Sequence, residues 1–178
     1  MSRRCADSET DSSSLRLKVK TTFSIEIRMP SILFVCLGNI CRSPLAEAAL
    51  RAEAERLRLD LIVDSAGTGD WHAGEPPDPR AQATARRHGV EISGLQARQV
   101  TQADFHRFTH VVALDHDNLD NLRRLAPADA TAELSLLLDH VPGREGQAVT
   151  DPYFGDDAGF EVTWAEVTDA ARGLVAKL

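Results

Sequence analysis

Cysteine is scarce in this 178-residue chain, limited to Cys5, Cys36 and Cys41, and aromatic residues are few, with two tryptophans and one tyrosine. An odd set of three cysteines in a chain of this size argues against a disulfide framework. Cys36 and Cys41 stand as Cys-x4-Cys with no second pair and no histidine nearby. That leaves a zinc coordination sphere half empty, so no metal is expected. No apolar run approaches the roughly 18 residues of a membrane span, and the N-terminus lacks the continuous apolar stretch of a secretory signal. The chain therefore reads as soluble and cytoplasmic, with no membrane partner. Basic residues are in deficit, 20 Lys and Arg against 27 Asp and Glu for a net charge of −7. Such a balance excludes a nucleic-acid binder, whose footprint is a basic surface. What is present is 43% hydrophobic residues, enough for one globular domain with its own core.

The charge is unevenly placed. Arg3, Arg4, Arg16, Lys18, Lys20 and Arg28 outnumber the acids upstream of Met29, so residues 1–28 are weakly basic and residues 29–178 strongly acidic. Ser2 to Ser14 is polar, with too little apolar surface to offset chain entropy, and reads as a disordered extension. From Leu15 to Ile27 the apolar residues fall on odd positions, a period of two that suits an edge strand. A mis-assigned start, with the folded unit beginning at Met29, accounts for the same segment equally well.

Beyond Met29, strand-like and helix-like segments alternate, the pattern of a parallel sheet covered by helices on both faces. Ser31–Cys36 is a continuous apolar run, as in a strand buried on both sides. Ser43 and Pro44 suit a helix cap and a first helical position, ahead of a segment rich in strong helix formers. Leu61–Asp64 reads as a second strand, followed by a long Gly/Pro-rich loop to Pro77 that is a candidate functional loop. Asp78-Pro79 opens a second helix and Gly89 stops it. Thr101 and Asp104 resemble a capping box for a short helix through Phe108. His110–Leu114 is a third strand, Asp117–Leu125 a helix, and Glu133–His140 contains a fourth strand. From Phe160 to Leu178, apolar residues recur at helical spacing. The expected fold is a single α/β domain. Its four-stranded parallel doubly wound sheet, of order 2-1-3-4, binds ligand beyond the carboxyl ends of its strands.

Residues 36–43, Cys-Leu-Gly-Asn-Ile-Cys-Arg-Ser, leave that buried strand and enter a helix. Such a loop is an anion site: successive backbone N–H groups form a nest and the helix N-terminus adds partial positive charge. Gly38 lets the backbone turn close to a ligand, and Asn39 tolerates left-handed geometry. Arg42 can clamp a phosphate with two parallel charge-assisted hydrogen bonds. A thiol in that field gives up its proton readily, and a thiolate under a phosphate is an in-line nucleophile. Ser43 can donate to the sulfur when it leaves again. No metal or other cofactor is needed, because backbone N–H groups and Arg42 handle the phosphate charge.

Residues 35–44, Val-Cys-Leu-Gly-Asn-Ile-Cys-Arg-Ser-Pro, resemble the signature of the low-molecular-weight protein tyrosine phosphatases, and the resemblance runs from Ser31 to about Lys177. It implies hydrolysis of phosphotyrosine through a cysteinyl-phosphate, with Cys36 as nucleophile, Arg42 as phosphate clamp and Leu37, Gly38, Asn39, Ile40, Cys41 and Ser43 as the phosphate loop. Asp151, in Asp151-Pro152-Tyr153, matches the family's general acid. Trp71 and Tyr153 resemble its aromatic walls, although Trp71 also suits a core plug under its loop. Cys41 matches a cysteine that forms a reversible disulfide with the nucleophile, with simple packing the other reading. Asp115 resembles a supporting position. One departure stands out: Leu95 replaces the family histidine that braces the loop asparagine, which predicts a softer phosphate loop unless Ser65 substitutes. Ile40 favours phosphotyrosine, since a threonine there goes with phosphoarginine. Arsenate reduction on the same scaffold calls for further cysteines downstream, and none follows Cys41. A phosphate-binding module without catalysis would lack one of Cys36, Arg42 and Asp151. The implied partner is a phosphotyrosine-bearing protein, a tyrosine kinase among the candidates, met by a monomer or weak dimer.

Overall fold

The computed structural model describes residues 29–178, so the alternating Leu15–Ile27 stretch lies outside the described residues. Strand β1, Ser31–Cys36, is buried at every position because it is central. It pairs in parallel with β2, Ile62–Gly67, on one side and β3, His110–Ala113, on the other. Strand β4, Glu133–Leu136, extends the sheet beyond β3, giving the order β2-β1-β3-β4. The doubly wound sheet of order 2-1-3-4 is therefore observed.

Side chains alternate across a strand, and β1 feeds two cores. Ile32, Phe34 and Cys36 join a cluster with helices α1, Arg42–Leu57, α2, Pro79–Arg87, and α5, Asp157–Val175. Leu33 and Val35 face the other way, into a cluster with α3, Asp104–Arg107, and α4, His116–Leu125. Phe160 and Trp164 of α5 are buried in the first cluster, with His88 stacked on Trp164 at 4.7 Å. Among the described residues no helix is long and apolar enough to cross a membrane.

Several boundaries move for local reasons. Strand β2 runs to Gly67 because its pairing with β1 continues through Ser65, Ala66 and Gly67, where small and polar composition reads as loop. Helix α1 starts at Arg42 after Cys41, which makes no side-chain cap bond. The expected capping role of Ser43 is thus corrected: its hydroxyl sits inside the first turn and faces Cys36. The Asp104 carboxylate accepts from Thr101 N at 2.8 Å and α3 begins only there. Asp115 caps α4 by accepting from Asn118 N at 2.8 Å. After β4 the chain winds into a 3-10 turn, Leu137–His140, instead of extending the strand.

Candidate active site

The loop after Cys36 is held from behind by the end of β2. Thr68 N donates to Cys36 O and Gly69 N to Leu37 O, both at 2.9 Å. A Cβ on Gly67 would lie 2.8 Å from Leu37 O and 3.2 Å from Asn39 N, so only glycine allows this approach. Asn39 has φ of 57° and is 2% exposed. Its Nδ2 donates to Ser43 Oγ and Ser65 Oγ, each at 2.9 Å, while its Oδ1 accepts from Arg98 N at 2.9 Å. The amide is saturated without any help from residue 95. Leu95 instead packs against the apolar core, and Ser65 takes the bracing place that the sequence left open to it.

The bracing continues into the protein. Ser65 Oγ donates to Glu47 Oε2 at 2.7 Å, and Arg51 clasps Glu47 Oε1 through Nε and Nη2 at 2.9 and 2.7 Å. Burial pushes the Glu47 carboxyl above its ordinary range, against the pull of Ser65 and Arg51. Toward the cleft, Ser43 Oγ accepts from Asn39, which leaves its proton for Cys36 Sγ at 3.0 Å or Ala66 O at 3.3 Å. Asn39 N also donates to Cys36 Sγ, at 3.3 Å. The sulfur thus lies within hydrogen-bond reach of the Asn39 backbone N–H and the Ser43 hydroxyl.

Arg42 is 4% exposed and bridges two acids from distant parts of the chain. Its Nη1 donates to Asp115 Oδ2 at 2.6 Å and its Nη2 pairs with Asp151 Oδ2 at 2.7 Å. Burial works against the guanidinium charge, yet Cys36, Asp151 and Asp115 together hold it above its ordinary value. Asp151 remains half exposed and accepts from Tyr153 N at 3.1 Å. Cys36 and Cys41 are both buried, free thiols. Burial, then Asp78, Cys36 and Asp151, push the Cys41 thiol up against the opposing pull of Arg80, so Cys41 keeps its proton.

These groups open into a cleft of about 180 Å³, whose walls include Leu37, Ile40, Trp71, His72, Tyr153 and Phe154. Trp71 is 62% exposed, which disposes of the core-plug reading. Its ring lies over Gly69, where a Cβ would meet the indole at 2.1 Å. Tyr153 and Phe154 meet edge to face at 5.0 Å. Arg80 secures that side: it pairs with Asp78 at 2.9 Å and donates to Tyr153 O and Gly155 O at 3.2 and 3.0 Å.

The family model described as low molecular weight phosphotyrosine protein phosphatase matches residues 31–178. The chain belongs to this family. It is 47% identical over 150 residues to the low molecular weight protein-tyrosine-phosphatase of Streptomyces coelicolor, covering 82% of this chain and 91% of that one. It is 44% identical over 152 residues to YfkJ of Bacillus subtilis, covering 84% and 96% respectively. The crystal structure of YfkJ superposes with a TM-score of 0.78 over 84% of this chain and 94% of that one. A Drosophila arginine phosphatase superposes with the same TM-score at 31% identity, covering 82% and 96%. The family scaffold thus carries phosphatases of more than one named specificity.

Within this family fold, all the predicted site residues converge on one cleft or on the shell that supports it. Sequence reasoning missed His72, Phe154, Glu47, Arg80 and Arg98. His72 and Phe154 adjoin Trp71 and Tyr153 in the chain, which was a usable signal. So was the spacing of Ser43, Glu47 and Arg51, four residues apart on one face of α1. Arg98 reaches Asn39 through its backbone N–H, and no side-chain pattern encodes that.

Proposed function

We propose that this cleft hydrolyses phosphotyrosine in proteins, and small aryl phosphates, through a cysteinyl-phosphate. The observation that carries the reading is the bridge from Arg42, beside Cys36, to Asp151, 109 residues along the chain. Cys36, Arg42 and Asp151 line one opening, which supports the roles of nucleophile, anion clamp and proton donor. Cys36 Sγ attacks phosphorus in line, forming the S–P bond as the bond to the aryl oxygen breaks. Protonated Asp151 gives its proton to the leaving phenoxide. Water then attacks the phosphocysteine and Asp151 takes its proton, while the Ser43 hydroxyl stabilises the departing thiolate. Arg42 and the loop N–H groups hold the phosphoryl oxygens throughout, and Asp115 positions Arg42.

Trp71 and Tyr153 flank the aryl ring of the substrate, and Ile40 lies where the family resemblance places phosphotyrosine preference over phosphoarginine. The partner is a phosphotyrosine protein, with a tyrosine kinase the class to seek first by substrate trapping with Asp151→Ala. The direct test is hydrolysis of an aryl phosphate by the wild type and by Cys36→Ser. The substituted protein is expected to be inactive and still to bind phosphate. Equal rates from the two would refute the thiolate mechanism.

A further inference from the structure

Leu37 and Trp71 form a ridge with a cavity on each side, since both residues line the catalytic cleft and a second groove of about 540 Å³. The second groove is also lined by Gln99 and, from the last turn of α4, by Asn121, Arg124 and Leu125. Arg124 carries the only formal charge among its lining residues. The neighbouring Arg123 pairs with Asp120, as Arg98 does with Asp64. Among the described residues Arg124 has no carboxylate partner, and its guanidinium hydrogen-bonds the neutral Asn121 side chain.

A protein whose phosphotyrosine occupies the cleft must lead its main chain out over the rim. Over the Leu37–Trp71 ridge it enters this groove, where the Gln99 and Asn121 amides can meet backbone groups and Arg124 can meet a carboxylate. We propose that the groove holds the segment beside the phosphotyrosine and that Arg124 selects an Asp or Glu side chain within it. This rests on the phosphotyrosine reading above. The protein as a whole is acidic and repels acidic partners at long range. Arg124, which among the described residues has no carboxylate partner, then sets register at short range, where screening is weakest.

The test compares wild type and Arg124→Ala on a small aryl phosphate and on phosphotyrosine peptides carrying Glu or Gln at each flanking position in turn. At one position the wild type is expected to favour Glu over Gln by about two- to fivefold in kcat/KM, the range of an exposed ion pair. Arg124→Ala erases that preference, Arg124→Glu reverses it, and both leave aryl phosphate turnover unchanged. Absence of any acidic preference in the wild type, or its survival in Arg124→Ala, overturns the proposal. Failure of the wild type to turn over aryl phosphate would instead overturn the hydrolase reading, and this proposal with it.

Discussion

At the floor of the cleft, Cys36, Asn39, Ser43 and Ser65 are at most 5% exposed, and each is tied to another by hydrogen bonds of 3.0 Å or less. At the rim, Trp71, Tyr153 and Phe154 are 62, 42 and 97% exposed and present bare aromatic surface. The floor must hold a sulfur and a ring of donors in a single geometry, because misplacement by an ångström costs orders of magnitude in rate. On the proposed reading the rim only has to offer flat apolar area to an aryl ring. Asp151 belongs to both: it rises with the exposed rim loop but is anchored to the floor through Arg42.

Cutting that link gives the largest effect. Asp151→Asn is expected to lower kcat about 10²- to 10⁴-fold for substrates with poor leaving groups, and far less for good ones. Equal losses for good and poor leaving groups, read by steady-state kinetics, would exclude Asp151 as the acid.

Loosening the floor comes next. Ser65→Ala leaves Asn39 Nδ2 short of an acceptor and Glu47 short of a donor, which costs stability by about 1–3 kcal/mol. Turnover is expected to fall about ten- to a hundredfold, with weaker inhibition by inorganic phosphate. Steady-state kinetics and thermal melting check both, and wild-type turnover in Ser65→Ala would mean that the floor needs no such bracing.

Trimming the rim does less. Trp71→Ala is expected to raise KM for aryl phosphates about two- to tenfold with kcat nearly unchanged, so a kcat loss matching that of Ser65→Ala would erase the distinction between floor and rim.

The smallest effect concerns the two buried cysteines. Cys41 is pushed up by burial and by Asp78, so its thiol persists through neutral pH and deprotonates only in strong alkali. Iodoacetate at pH 7 should therefore leave Cys41 unmodified in Cys36→Ser, read by peptide mass. Rapid labelling of Cys41 would contradict its placement.

The sheet and its order were legible because an unbroken apolar run, Ile32–Cys36, has few other uses, and because the alternation that follows admits few topologies. The start of α2 was legible in Asp78-Pro79, where cap and fixed φ act locally. The end of β2 was not, because Ser65, Ala66 and Gly67 are strand only by virtue of their pairing with β1. The consequence of Leu95 was not legible for the same reason. Its identity removes one brace, but whether Asn39 is left loose depends on Ser65 and on the Arg98 backbone, 26 and 59 residues away in the chain.

By itself the sequence determined the chemistry: a cysteine, a turn that accepts φ > 0, an arginine and a helix start lie within eight residues of one another, so their geometry is local. Only the tertiary structure decided how that loop is held and what surrounds it. The Glu47–Ser65–Asn39 chain, the Arg42 bridge to Asp115 and Asp151, and the ridge between two cavities join residues far apart in sequence. Hydrogen bonds of under 3 Å between such residues are set by how the elements pack, and no spacing along the chain encodes them.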